Sequence, residues 1–298
     1  MNLVSKLNTL FGYKMSNIKI HILHTGDVRV SPYLPFGGNC NVLKAMGVTI
    51  PRDQWLWLPV FCYLIEHPQG RILVDTGWSR SMSPNGVFDR WAQIRSLGCL
   101  PLYLCNQGVL PMGQSISEQL HAMGLKDSDL DYVLLTHLDC DHANGLDEVQ
   151  HAKHILCSAE ELRFATHGGV INWARYQSLW WRNAALQTFD WNDNEGPAHH
   201  SFDLFGDGSI VLINIPGHSD GMCAVRICNA QERFVLLCAD GGYARRSWEE
   251  MITSGIATDR KAQQQSLQWI RAQSLSPNCL GVFASHDTEI SSQVIELQ

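Results

Sequence analysis

His137-Leu138-Asp139-Cys140-Asp141-His142 places four metal-ligand side chains within six residues. The run before it, 131–136 (DYVLLT), is apolar and rich in strand formers, and Ala143-Asn144-Gly145-Leu146 after it reads as a loop opening a helix. The ligands are therefore expected at the end of a strand, where a sheet holds them rigidly. A divalent ion needs such clustering, because imidazoles and carboxylates must converge within bonding distance of it. Read alone, the stretch is equally a polar loop that happens to hold two His and two Asp.

Three downstream segments decide between these readings. Each is a β-rich apolar run that ends in a ligand-type residue. Residues 209–216 (SIVLINIP) lead into Gly217-His218-Ser219, and 233–239 (RFVLLCA) lead into Asp240-Gly241-Gly242-Tyr243. Residues 279–285 (CLGVFAS) lead into His286-Asp287. The set His137, Asp139, Asp141, His142, His218, Asp240 and His286 exceeds what one ion needs and suits a two-metal centre.

These motifs resemble the metallo-β-lactamase superfamily, whose signature is His-x-His-x-Asp-His followed by Gly-His, an Asp and a final His. Within it the chain is most similar to the N-acyl homoserine lactone hydrolases. The resemblance runs from about Ile18 to about Thr288. The hairpin-like 58–65 (LPVFCYLI) and 71–77 (RILVDTG) look like the family's opening hairpin, and Asp240 with Tyr243 like its bridging aspartate and active-site tyrosine. The resemblance implies an αββα sandwich of two mixed β-sheets flanked by helices. It also implies two divalent ions per chain, zinc first among them, with a lactone or other ester as substrate. On this resemblance His137, Asp139 and His218 bind the first ion, Asp141, His142 and His286 the second, and Asp240 bridges. A hydroxide shared by the ions attacks the ring carbonyl, Asp141 moves a proton to the leaving alkoxide, and the Tyr243 hydroxyl donates to the oxyanion or the substrate amide. Asp75, in the Asp-Thr-Gly turn, would orient a ligand histidine or a loop.

One residue departs from the pattern. Asp139 stands where most of the family has its second histidine. A carboxylate is a harder, anionic ligand, which tilts the first site towards iron or manganese, or weakens it for zinc. Loss of the first metal is the extreme of that change. The substitution resembles the flavodiiron branch, which carries a glutamate there and binds iron. Those proteins continue into a flavodoxin-like domain for which 298 residues leave no room. A di-iron redox protein is thus less favoured than a hydrolase. Within the hydrolases, a thioester, a different lactone or a phosphoester is the alternative substrate.

Composition agrees with one enzyme domain over residues 18–298, preceded by an N-terminal extension, 1–17. Hydrophobic residues make up 45% and charged residues 17%, as in globular proteins. A net charge of −7 with no basic run argues against nucleic acid and anionic membrane surfaces as partners. No apolar stretch approaches the roughly 20 residues of a membrane span. The weakly amphipathic start, MNLVSKLNTLFGYK, lacks the apolar core and cleavage site of a secretory signal. It leaves open a frayed end or a short helix packing on the body or on a second subunit of a homodimer. Ten cysteines without CxxC pairs or regular spacing suggest reduced thiols and a cytoplasmic location. Cys140, between two ligands, is expected to point away from the metal.

Ser115 and Glu118 are spaced as a capping box for a helix over 115–123, and a longer helix is expected over 259–273. Two irregular stretches, 78–112 and 160–201, are expected to shape the substrate pocket. The second carries Trp173, Tyr176, Trp180, Trp181 and Trp191, which either pack the insertion onto the body or line an acyl cleft.

Overall fold

Thirteen strands arrange in two sheets in the computed structural model, which describes residues 17–298. The N-terminal extension, apart from Asn17, lies outside the described residues. The strands are β1 (Ile18–Val30), β2 (Leu56–His67), β3 (Gly70–Val74), β4 (Gln107–Val109), β5 (Tyr132–Leu134), β6 (His154–Ser158), β7 (Leu186–Phe189), β8 (Ser201–Asp203), β9 (Ile210–Asn214), β10 (Cys223–Cys228), β11 (Phe234–Ala239), β12 (Cys279–Ala284) and β13 (Val294–Leu297). The larger sheet has the order β13-β1-β2-β3-β5-β6-β7, with β4 pairing β1. The smaller is β12-β11-β10-β9-β8. Both are mixed: β3, β5, β6 and β7 run parallel to one another beside the antiparallel β1–β2–β3 meander, and β12 runs parallel to β11.

The sequence dictates this layering through strands that are apolar on both faces. Along β2, Phe61, Tyr63 and Ile65 point to the other sheet, where they meet Val225, Val235 and Leu237. The alternate residues Val60, Cys62 and Leu64 point outwards to the helical layer. Behind the smaller sheet, Leu236 and Cys238 pack against Leu267 and Ile270 of the helix Arg260–Ser274. Two faces buried on each central strand explain why these runs read as continuous rather than alternating apolar sequence. The expected αββα sandwich is the observed fold.

Helix ends follow local chemistry. Ser115 and Glu118 form the capping box of the helix Ile116–Ala122, and the Asp259 side chain caps the helix Arg260–Ser274 by accepting from the Ala262 N–H. Gly217 illustrates how close the layers come. Its φ is 128°, and a Cβ there would lie 2.2 Å from the Gln263 backbone nitrogen, so only glycine lets the helix seat against the His218 loop. No helix of the described residues is long and apolar enough to cross a membrane.

Candidate metal centre

All seven sequence-predicted ligands converge at one end of the sandwich. β5 stops at Leu134, so His137 stands three positions beyond the strand rather than on its end. Asp139 precedes the short helix Cys140–Ala143, which carries Asp141 and His142. His218 follows β9, Asp240 follows β11, and His286 follows β12. Bonds between the two sheets bring these loops together. The Cys223 N–H donates to the Thr136 carbonyl at 3.0 Å, and the Phe61 N–H to the Ser285 carbonyl at 3.0 Å. Ala239, just before Asp240, has φ 45°, a strained value for a residue with a Cβ and one that is common beside functional groups.

The ligand atoms form overlapping groups: His137, Asp139 and His218; His137, His142 and Asp240; and Asp141, His142 and His286. Asp240 reaches both sides. Its Oδ1 lies 3.3 Å from His142 Nε2 and 3.1 Å from His286 Nε2, and its Oδ2 lies 3.9 Å from His137 Nε2 and 3.7 Å from His218 Nε2. Asp141 Oδ2 is 3.4 Å from His286 Nε2.

The outer nitrogens of the histidines fix their tautomers. His142 Nδ1–H donates to Asp75 Oδ2 at 2.8 Å, and His286 Nδ1–H donates to the Pro59 carbonyl at 2.8 Å. The single Thr136 hydroxyl proton goes to Asp75 at 2.8 Å, so its oxygen accepts from His137 Nδ1–H at 3.0 Å. Each Nε2 lone pair is thereby aimed into the cluster. His142 Nε2, His286 Nε2, His137 Nε2 and Asp240 Oδ1 are buried without any hydrogen-bond partner. Buried polar atoms of native proteins are paired, and four unpaired acceptors facing one another are what a cation satisfies. The donor set fits a divalent ion. Donor separations of 3.1–3.4 Å around Asp141, Asp240 and His286 also match the edges, roughly 3.4 Å, of a tetrahedron with ~2.1 Å bonds.

Electrostatics follow the crowding of acids. Burial opposes charge on His142, but the neighbouring Asp75 and Asp240 carboxylates overcome it and raise the imidazole well above its ordinary value of 6.5, so a proton competes with a metal ion for Nε2. His218 behaves oppositely. Burial and then the Arg175 guanidinium push it down to about 4. Tyr243 is buried with its ring stacked on His286 and edge-on to His218, and its hydroxyl lies 3.5 Å from His218 Nδ1. Burial, with Asp240 next, raises its hydroxyl well above the ordinary phenol range, so it is a donor at neutral pH.

Two residues at the site escaped the sequence reading. Arg175 ends the helix Gly169–Arg175 and bonds Asp139 through two N–H groups at 2.6 Å each. Glu161 is fully buried, and its carboxylate accepts from the Leu138 N–H at 3.1 Å and the Ser219 hydroxyl at 2.6 Å. It thereby ties the His137 and His218 loops together. Cys140 belongs to none of the ligand groups, and its sulfur lies 3.2 Å from the Asn106 amide. Of the aromatics in 160–201, Tyr176, Trp180 and Trp181 are buried and Trp173 is exposed. A cleft of about 470 Å³ is lined by Trp180 together with Ser96, Arg95 and Asn144, and none of the seven ligands borders it.

Residues 55–277 match the Metallo-beta-lactamase superfamily. The chain belongs to that superfamily. Its similarity to characterised members is distant but long. It is 24% identical over 264 residues to the N-acyl homoserine lactonase AttM of Rhizobium radiobacter, covering 86% of this chain and 89% of that protein. It is 27% identical over 226 residues to an N-acyl homoserine lactonase of Bacillus cereus, covering 74% and 79%. Among solved structures, an N-acyl homoserine lactone hydrolase with its product N-hexanoyl-L-homoserine at the catalytic metal center shares the fold. The TM-score is 0.69 at 22% identity, with 91% and 94% of the chains covered.

Proposed function

We propose that this metallo-β-lactamase superfamily member is a metal-dependent hydrolase that opens N-acyl homoserine lactone rings. The observation that carries the metal requirement is the set of buried, unpartnered Nε2 and Oδ1 atoms on His142, His286 and Asp240. The length of the match to N-acyl homoserine lactonases supports the substrate class. Asp141, His142, His286 and Asp240 would hold a divalent ion, zinc best suiting a mixed imidazole and carboxylate set. His137, Asp139 and His218 form the neighbouring donor group. When bound, such an ion supplies Lewis acidity and hydroxide at neutral pH.

The chain's own residues supply the rest. Asp75, Thr136 and the Pro59 carbonyl hold three imidazoles in one tautomer, so no reorganisation is needed at the reacting centre. Asp141 would carry a proton to the leaving alkoxide when the ring opens. The Tyr243 hydroxyl, protonated at neutral pH, donates to the oxyanion or the substrate amide. All ten cysteines are unpaired thiols, which supports a reducing compartment such as the cytoplasm.

A panel of acyl homoserine lactones of graded chain length, an aryl thioester and a phosphodiester tests the reading. The highest kcat/KM is expected on a lactone. A phosphodiester or thioester preferred by tenfold or more would replace the proposal with another hydrolase of the same fold.

A further inference from the structure

The two sides of the centre are not alike. Around His142 and His286 the inward-facing atoms lack partners, whereas on the other side His137 Nε2 is unpartnered but Asp139 and His218 Nε2 are already engaged. Arg175 Nε donates to Asp139 Oδ1 and Nη2 to Asp139 Oδ2, both at 2.6 Å. Nη2 also lies 2.7 Å from His218 Nε2, which accepts from it when the ring proton is on Nδ1, and Nη1 donates to the His218 carbonyl at 3.2 Å. Asp139 Oδ2 and His218 Nε2 are 2.8 Å apart, a hydrogen-bond distance and closer than two ligands of one tetrahedral ion at roughly 3.4 Å.

We infer that the Arg175 guanidinium takes the place of the first metal ion, so that the chain holds one divalent ion, on Asp141, His142, His286 and Asp240, beside a fixed organic cation. This rests on reading the cluster as the metal centre of a hydrolase. The departure at Asp139 then has a cause. An imidazole offers a guanidinium one acceptor at most, whereas a carboxylate offers two parallel oxygens that match its N–H fork. Asp139 and Arg175, 36 positions apart, therefore form one unit. Both side chains are only 13% exposed, so the charge of each is balanced by the other. A metal ion at the position would compete with Arg175 for His218 Nε2 and the Asp139 carboxylate, and would lie against its positive charge. Arg175 supplies one positive charge in place of two, and it cannot be stripped by a chelator.

Elemental analysis of the protein reconstituted with excess Zn²⁺ and desalted, together with electron paramagnetic resonance of the Mn²⁺-loaded protein, tests this without reference to turnover. The wild type is expected to hold about one ion per chain and to give the spectrum of an isolated Mn²⁺. Arg175→Ala frees Asp139 and His218 beside the unpartnered His137 Nε2, and should raise the count to about two with an exchange-coupled spectrum. Arg175→Gln, which keeps more of the volume, should move in the same direction and serves if the alanine variant does not fold. About two ions in the wild type, or a count that stays at one when either folded variant is loaded, overturns the inference. Lactone opening with two ions bound would sink this inference and leave the proposed function standing. One ion with no action on any lactone would do the reverse.

Discussion

The Asp75 carboxylate accepts a hydrogen bond from His142 Nδ1 at 2.8 Å across 67 positions of sequence. Asp75 adopts φ 60° to do so, and the same carboxylate accepts from the Thr136 N–H at 2.8 Å and from the Thr136 hydroxyl. One residue therefore sets the tautomer of His142 directly and that of His137 through Thr136. An Asp that touches no ion thus controls which nitrogens are available to bind one.

Asp75→Asn should weaken metal binding while leaving every ligand in the chain. An amide oxygen still accepts from His142, but the lost charge makes the imidazole a poorer donor, and such outer partners are worth about 10- to 100-fold in affinity. Competition against a chromophoric chelator measures the change. An unaltered affinity would show that the Asp75 contact is structural only.

Tyr243→Phe removes one hydroxyl and no metal ligand, so metal content should stay the same. If that hydroxyl stabilises charge that develops in the transition state, kcat on the best lactone falls by roughly 10- to 1000-fold. A loss confined to KM would assign it to holding the substrate amide. An unchanged kcat/KM would remove Tyr243 from the mechanism and leave only its packing between His218 and His286.

Asp139→Ala strands the buried Arg175 guanidinium, and breaking a buried pair in this way costs about 3–5 kcal/mol. Denaturant unfolding should show a loss of that order, discounted somewhat for the partial exposure of both side chains. Combining it with Arg175→Ala should recover part of the loss, because no unpaired charge remains. Additive losses would mean the two residues do not act as a unit.

The thiols offer a test of the interior. Burial pushes the thiols of Cys62, Cys140 and Cys223 well above their ordinary value of 9.0. Thiolate, the reactive form, is then scarce at neutral pH. A chromogenic disulfide reagent should label few sites in the native protein and all ten after denaturation without reductant. Fewer than ten in the denatured protein would reveal a disulfide and count against a reducing compartment.

Much of this was legible in the sequence because its signals are local. Six residues hold four ligands, and strands buried on both faces write themselves as long apolar runs such as 58–65 and 233–239. Arg175 was not legible. It lies in an insertion without clear periodicity, and an arginine's meaning depends on what it meets in space. The unusual Asp139 marked the right place, since a carboxylate in an imidazole's position asks for a partner of opposite charge. Only the fold says that the partner comes from the end of the helix Gly169–Arg175 rather than from a metal ion alone. Glu161 was hidden for a related reason: a buried acid near a helix start reads as an ordinary first-turn residue until both ligand loops are seen to hang from it.

The most direct measurement is lactone opening followed by proton release as metal is removed and restored. The protein is stripped with a chelator, assayed on an N-acyl homoserine lactone, and reloaded with Zn²⁺ in substoichiometric steps, with bound metal measured at each step. Ring opening should vanish in the stripped protein and return in proportion to the ion bound. Opening that persists at full rate without metal, or fully loaded and folded protein that leaves every lactone intact, would contradict the account.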